Sequence, residues 1–212
     1  MDALVQVEQK YGFTLPSVYR SFVERGYVTY PGDAYLWVHE AEWLPTEDML
    51  DHGGFGDLGS PKPGLVAFAF SGRRDLWAWQ TERVSKVGEP TIVLCPRDSY
   101  EGEWYAPSFL GWLYRISLEY ASSMWDEEAE TKQNLGRWAS VLREFGKHEW
   151  ADFVEGVASR AVIVSRSGSR GQLVENSLIS QQDVSGRLVA AFGPGFIDSP
   201  YIWDLEGEPA AE

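Results

Sequence analysis

A chain of 212 residues with 44% hydrophobic and 14% aromatic content, including ten each of Trp, Tyr and Phe, holds enough apolar material for a packed core, which excludes a disordered protein. Its 32 acids outnumber 18 bases, and the net charge of −14 repels phosphate backbones and argues against nucleic-acid binding. One cysteine, Cys95, leaves no internal disulfide, the first thirty residues lack a signal-peptide pattern, and no apolar run approaches the ~20 residues that cross a bilayer, so a cytoplasmic protein with no membrane partner is expected.

Leu4, Val7 and Tyr11 follow one helical stripe, and Gly12 stands where a left-handed cap is wanted. A second helix opens at Leu15-Pro16, runs Tyr19, Phe22 and Val23 along one face, and ends at Gly26. The alternation from Tyr35 to His39 predicts a strand, and Pro45-Thr46 a short helical turn. After a loop from Gly53 to Gly64, Leu65–Phe70 and Leu76–Thr81 read as a β-hairpin whose Gly72 is free to take positive φ. On the first arm Val66, Phe68 and Phe70 are expected to share a face, and on the second Trp77 and Trp79, so that cross-strand aromatic pairs fix the register.

Thr91–Cys95 is a third strand, followed by a helix from Pro107 with Phe109, Trp112, Leu113, Ile116 and Tyr120 on one stripe. Beyond Trp125, the acids from Asp126 to Glu130 suit the first turn of a helix that continues through Leu135, Trp138 and Leu142. A further helix follows around Trp150–Val157, then a short strand at Ala161–Val164 and a loop at Ser165–Gly171. Ser180 with Asp183 resembles a capping box, Gly193-Pro194-Gly195 ends its helix, and the residues from about Glu206 are expected to fray.

Three motifs thus stand in order: Leu15-Pro16 with Tyr19, Phe22 and Gly26; Phe68-Ala69-Phe70 with Gly72, Asp75 and Trp77; and Ala106-Pro107-Ser108-Phe109 with Leu113. Over about residues 1–122 they resemble the SUKH superfamily of bacterial immunity proteins and fungal cell-wall-synthesis regulators. Arg73-Arg74 depart from its pattern, in which a Gly is common before the Asp, and Trp77 replaces the usual Tyr. The resemblance implies an α+β fold, a central, mostly antiparallel sheet flanked by helices, and no enzymatic activity. Residues 1–125 are expected to form this domain and 126–212 a mainly helical extension or small second domain.

Gly54 to Gly59 spells G-x-G-x-x-G, but Ser60-Pro61-Lys62-Pro63 follows where a dinucleotide site needs a helix, so it reads as a loop. His39, His52 and His148 show no zinc spacing, and no metal or other cofactor is expected. Cys95, in an apolar strand, reads as a buried inert thiol. Glu101 and Glu103 flank a polar stretch beside Trp104 that is read as an exposed loop, either solvated or a carboxylate pair.

The remaining candidate is a partner-binding rim of Asp57, Asp75, Asp98, Glu101, Glu103 and Trp104, with Arg73 and Arg74 as anchors or as strand-edge gatekeepers. These acids attract a basic partner or simply solubilise the chain. The first functional expectation is therefore an immunity-type protein that neutralises a cognate, basic secreted toxin without catalysis. The alternatives are a regulator or scaffold with endogenous partners, and a carbohydrate- or small-ligand-binding module.

Overall fold

The computed structural model describes residues 2–56, 59–62, 64–86, 88–124, 127–167, 173–197 and 199–205. Its elements in order are α1 (Ala3–Tyr11), α2 (Ser17–Glu24), β1 (Glu42–Trp43), α3 (Thr46–Met49), β2 (Pro61–Lys62), β3 (Leu65–Phe70), β4 (Leu76–Val84), β5 (Pro90–Cys95), β6 (Glu101–Ala106), α4 (Phe109–Ser122), α5 (Glu128–Glu144), α6 (His148–Ala158), β7 (Ile163–Ser167), β8 (Leu173–Ser177), α7 (Gln181–Phe192), β9 (Pro200–Ile202) and β10 (Asp204–Leu205). This is the expected α+β class, with a mainly helical C-terminal region. By contact density the chain divides into one unit of Met1–Phe109 with Pro194–Glu212 and another of Leu110–Gly193.

In the first unit, six antiparallel strands pair in the order β1-β3-β4-β5-β6-β9. α1 starts with the Asp2 carboxylate accepting from the Leu4 N–H at 3.1 Å and stops at Gly12, whose φ of 66° suits a residue without Cβ. Pro16 holds the position just before α2, and the Glu8 carboxylate accepts from the Leu15 N–H at 2.8 Å while pairing with Arg20. The Leu-Pro motif is thereby tied to the preceding helix by a side chain that lies outside it.

One sheet face is an aromatic cluster. Trp79, Tyr19, Phe22, Phe68 and Phe109 are all fully buried, with Tyr19 edge-on to Trp79 at 4.7 Å and Phe22 edge-on to Phe109 at 4.9 Å. Rings in this T-shaped arrangement place a positive edge against a negative face, adding to the stabilisation from burial. The opposite face is covered by Phe55, Tyr201 and Trp203, with Trp203 5.5 Å from Phe55 and Tyr201 4.6 Å from Trp104.

The ladder between β3 and β4 shifts register between Ala67 and Ala69. Val66 pairs with Trp79 and Phe68 lies 4.6 Å from its ring, whereas Phe70 pairs with Leu76, which alternates away from Trp77. Phe68 is the extra residue of a β-bulge, so Phe70 leaves the face that strict alternation assigns to it. The expected strand at Tyr35–His39 is also absent. Leu36 and Val38 are buried in alternation, but they form only one isolated bridge, Val38 to Ala41, and the paired strand begins at Glu42.

Glu101 and Glu103, read above as lying on an exposed loop, belong to strand β6, held between β5 and β9. The C-terminal strands β9 and β10 had no forecast, and the G-x-G-x-x-G stretch leads into β2, which pairs with β10. The predicted fraying from Glu206 lies outside the described residues.

In the second unit Tyr114 of α4 stacks on Trp150 of α6 at 4.8 Å, and Tyr120 lies 5.1 Å from Trp138 of α5. α7 begins as foreseen, with Ser180 Oγ accepting from the Asp183 N–H at 3.1 Å. The strand expected at Ala161–Val164 runs instead from Ile163 to Ser167 and pairs with β8, so the first three residues of the expected loop belong to a hairpin.

A Cβ at Gly102 would stand 2.1 Å from the Leu94 carbonyl oxygen, an immovable ladder atom. Gly102→Ala is expected to lower unfolding free energy by about 2–3 kcal/mol, since overpacking against backbone forces the strands apart. Urea denaturation followed by Trp fluorescence checks this.

Candidate functional site

Two turns meet at one end of the sheet, because Leu76 and Cys95, the residues flanking them, are ladder partners. In the β3–β4 turn, Ser71 Oγ accepts from the N–H groups of Arg73 (3.1 Å) and Asp75 (3.0 Å), and it donates to Asp75 Oδ2 at 3.2 Å. Asp75 Oδ1 then accepts from the Arg97 N–H of the β5–β6 turn at 3.2 Å. Asp75 is therefore the clasp between the turns, and its acceptor capacity is largely used within the fold.

Positive φ in the first turn falls on Arg74, at 67°, and not on Gly72. Arg74 belongs to the Arg73-Arg74 pair that stands where the resembling family commonly has a Gly before the Asp. A non-glycine residue in this region crowds its Cβ against backbone, at a cost of about 1–2 kcal/mol.

Of the rim residues, the structure brings Arg73, Arg74, Asp75, Asp98 and Glu101 to this end. Asp98 and Glu101 are exposed, and the Glu101 N–H donates to Ser99 Oγ at 3.0 Å. Glu103 lies further along β6, opposite Leu94 and Pro200, and is half-buried. Trp104 is packed edge-on against Tyr201, with the Arg83 guanidinium 4.2 Å from its ring centroid. Asp57 lies outside the described residues.

Arg97 was not foreseen, although the turn sequence Pro96-Arg97-Asp98 signals its place. With it, the two turns and the start of β6 carry three guanidiniums (Arg73, Arg74, Arg97) and three carboxylates (Asp75, Asp98, Glu101), so this end is charge-balanced and not simply acidic. Beside it, Arg74 and Arg97 join Leu44, Phe55, Phe70 and Leu76 around a pocket of about 350 Å³. The bulge at Phe68 is what turns Phe70 towards this pocket.

Cys95 is fully buried, and burial pushes its thiol well above the ordinary range, since a thiolate there has no water to solvate it. His39 lies near Glu40, and His52 Nδ1 is 3.0 Å from Ser60 Oγ. Among the described residues no group of His, Cys, Asp and Glu side chains is arranged to hold a metal ion. Among the described residues no helix is long and apolar enough to cross a membrane.

A family model described as the SMI1 / KNR4 family (SUKH-1) matches residues 2–115, just over half of the chain. The match takes in α1 through the middle of α4, including both turns of the sheet end. No curated protein and no solved structure matches the chain.

Asp75→Ala is expected to lower unfolding free energy by about 1–3 kcal/mol through the lost clasp, while Arg74→Gly raises it by about 1 kcal/mol by relieving the left-handed backbone. Equilibrium denaturation of both variants measures the opposite signs. Cys95 is expected to resist a thiol reagent at neutral pH in the native protein and to react fully once denaturant is added.

Proposed function

The chain belongs to the SMI1 / KNR4 family (SUKH-1), and on that premise we propose that it is an immunity-type protein that binds and neutralises a cognate secreted toxin without catalysis. The observation that carries this reading is the family match over residues 2–115, which supports an immunity-type or regulatory role in general. On this reading residues 126–212 are a mainly helical extension of the family's domain.

The sheet end is the contact surface we assign to the toxin. Two turns locked together by Asp75 present Arg73, Asp98 and Glu101 from a stiff base, which lowers the ordering cost of association. The chain's net charge of −14 adds long-range attraction to a basic partner, as toxins that act on nucleic acid commonly are. The balanced signs at the surface itself suit register and partner choice, because a misplaced partner meets like charge.

A regulator with endogenous partners is the second reading, favoured by the same family match. A toxin gene beside this one supports immunity, and an isolated locus supports regulation. Calorimetry of the purified chain against the adjacent gene's product tests the proposal directly, and absence of binding sinks it. Asp98→Lys with Glu101→Lys is expected to slow association about tenfold at low salt while leaving the circular dichroism spectrum unchanged. Stopped-flow association rates at two ionic strengths provide the check.

A further inference from the structure

Residues 28–47 form a second surface that the family motifs do not touch. Leu36 is buried, its N–H donating to the Tyr27 carbonyl at 2.8 Å and its carbonyl accepting from Trp43 Nε1 at 2.9 Å. Pinning Leu36 inward turns its extended neighbours Tyr35 and Trp37 the other way. Tyr30, 78% exposed, stands edge-on to Tyr35 with ring centroids 5.1 Å apart. These three rings line a cavity of about 690 Å³, closed on its other side by β1 and the start of α3.

Glu42 and Glu47 supply the charge of this cavity. Both are exposed, and neither carboxylate has a hydrogen-bond or ion-pair partner among the described residues. No basic side chain is among those lining the cavity. Burial first, then the neighbouring Glu42 carboxylate and the Tyr30 phenol, push the Tyr35 phenol above its usual range.

We propose that this cavity, with Tyr30, Tyr35 and Trp37 as walls and Glu42 and Glu47 at its rim, receives an arginine side chain from a basic protein partner. Electron-rich ring faces attract a cation, and the planar guanidinium stacks on them while its fork reaches two carboxylates. The volume exceeds that of one guanidinium, leaving space for the residues on either side of it. β1, the two-residue end strand of the sheet among the described residues, borders the cavity and carries Glu42. The cavity shares only Leu44 with the sheet-end pocket and uses none of the charged sheet-end residues, and the proposal stands whether the partner is a toxin or an endogenous protein.

The test is a two-dimensional NMR titration of the ¹⁵N-labelled chain with N-acetyl-arginine amide, using N-acetyl-citrulline amide as an uncharged probe of the same shape. Saturable shifts are expected at the Trp37 indole N–H and at amides within residues 28–47, with millimolar affinity and at least about tenfold weaker binding of the citrulline probe. The exposed pair Glu42→Gln and Glu47→Gln is expected to weaken arginine binding about tenfold with the rest of the spectrum unchanged. Equal binding of the two probes, shifts scattered over the surface, no saturation, or an unaltered affinity in the double variant would each overturn the proposal. Because no partner protein enters the experiment, its failure is separable from failure of the toxin reading.

Discussion

Phe68 and Ala69 both face the Trp79 side of the sheet, because β3 carries one residue more than β4 opposes. That single insertion divides the labour of the strand. Val66 and Phe68 lie on the side of the aromatic cluster that α2 supplies with Tyr19 and Phe22, and Phe70 passes to the other face beside Leu76, Phe55 and Arg74. Without it, a sheet with alternate residues fixed in direction would send Phe70 into the core and leave that side of the hairpin without its apolar floor. The core and the sheet-end pocket are thus two products of one irregularity.

Charge is arranged with the same economy. The chain as a whole is strongly anionic, yet arginines offset the carboxylates at the sheet end, whereas the aromatic cavity near β1 has Glu42 and Glu47 and no basic side chain in its lining. Net charge governs approach from a distance of about a Debye length. What happens on contact depends on the local signs, and the two surfaces differ in theirs.

The elements that could be read in the sequence were those whose evidence is local. Gly12, Pro16, Ser180 and Gly193 are caps that act over four residues, and the α4 stripe repeats often enough to be unmistakable. β6 escaped because Glu101-Gly102-Glu103 looks like a solvated turn, and only the pairing of this segment with two distant strands makes it a ladder. Three residues, Pro200 to Ile202, are too few to show any period. At the sheet end, Arg73, Arg74 and Asp98 announce themselves as turn residues, but the clasp from Asp75 to Arg97 spans twenty-two positions, and no periodicity reports a bond of that kind. The cavity by β1 was hidden for the opposite reason: Tyr35 and Trp37 suggested a strand, and their alternation was real, but it served burial of Leu36 and not pairing.

The last strand of the main sheet, β9, comes from beyond residue 193, although its partner β6 ends at Ala106. Everything from Leu110 to Gly193 is an excursion that departs and returns. A ribosome must therefore finish the excursion before Tyr201 and Trp203 can seal the second face, and the nascent sheet waits with that face open to solvent. A protease that nicks the excursion, conversely, leaves two fragments still stitched together along the β6–β9 ladder.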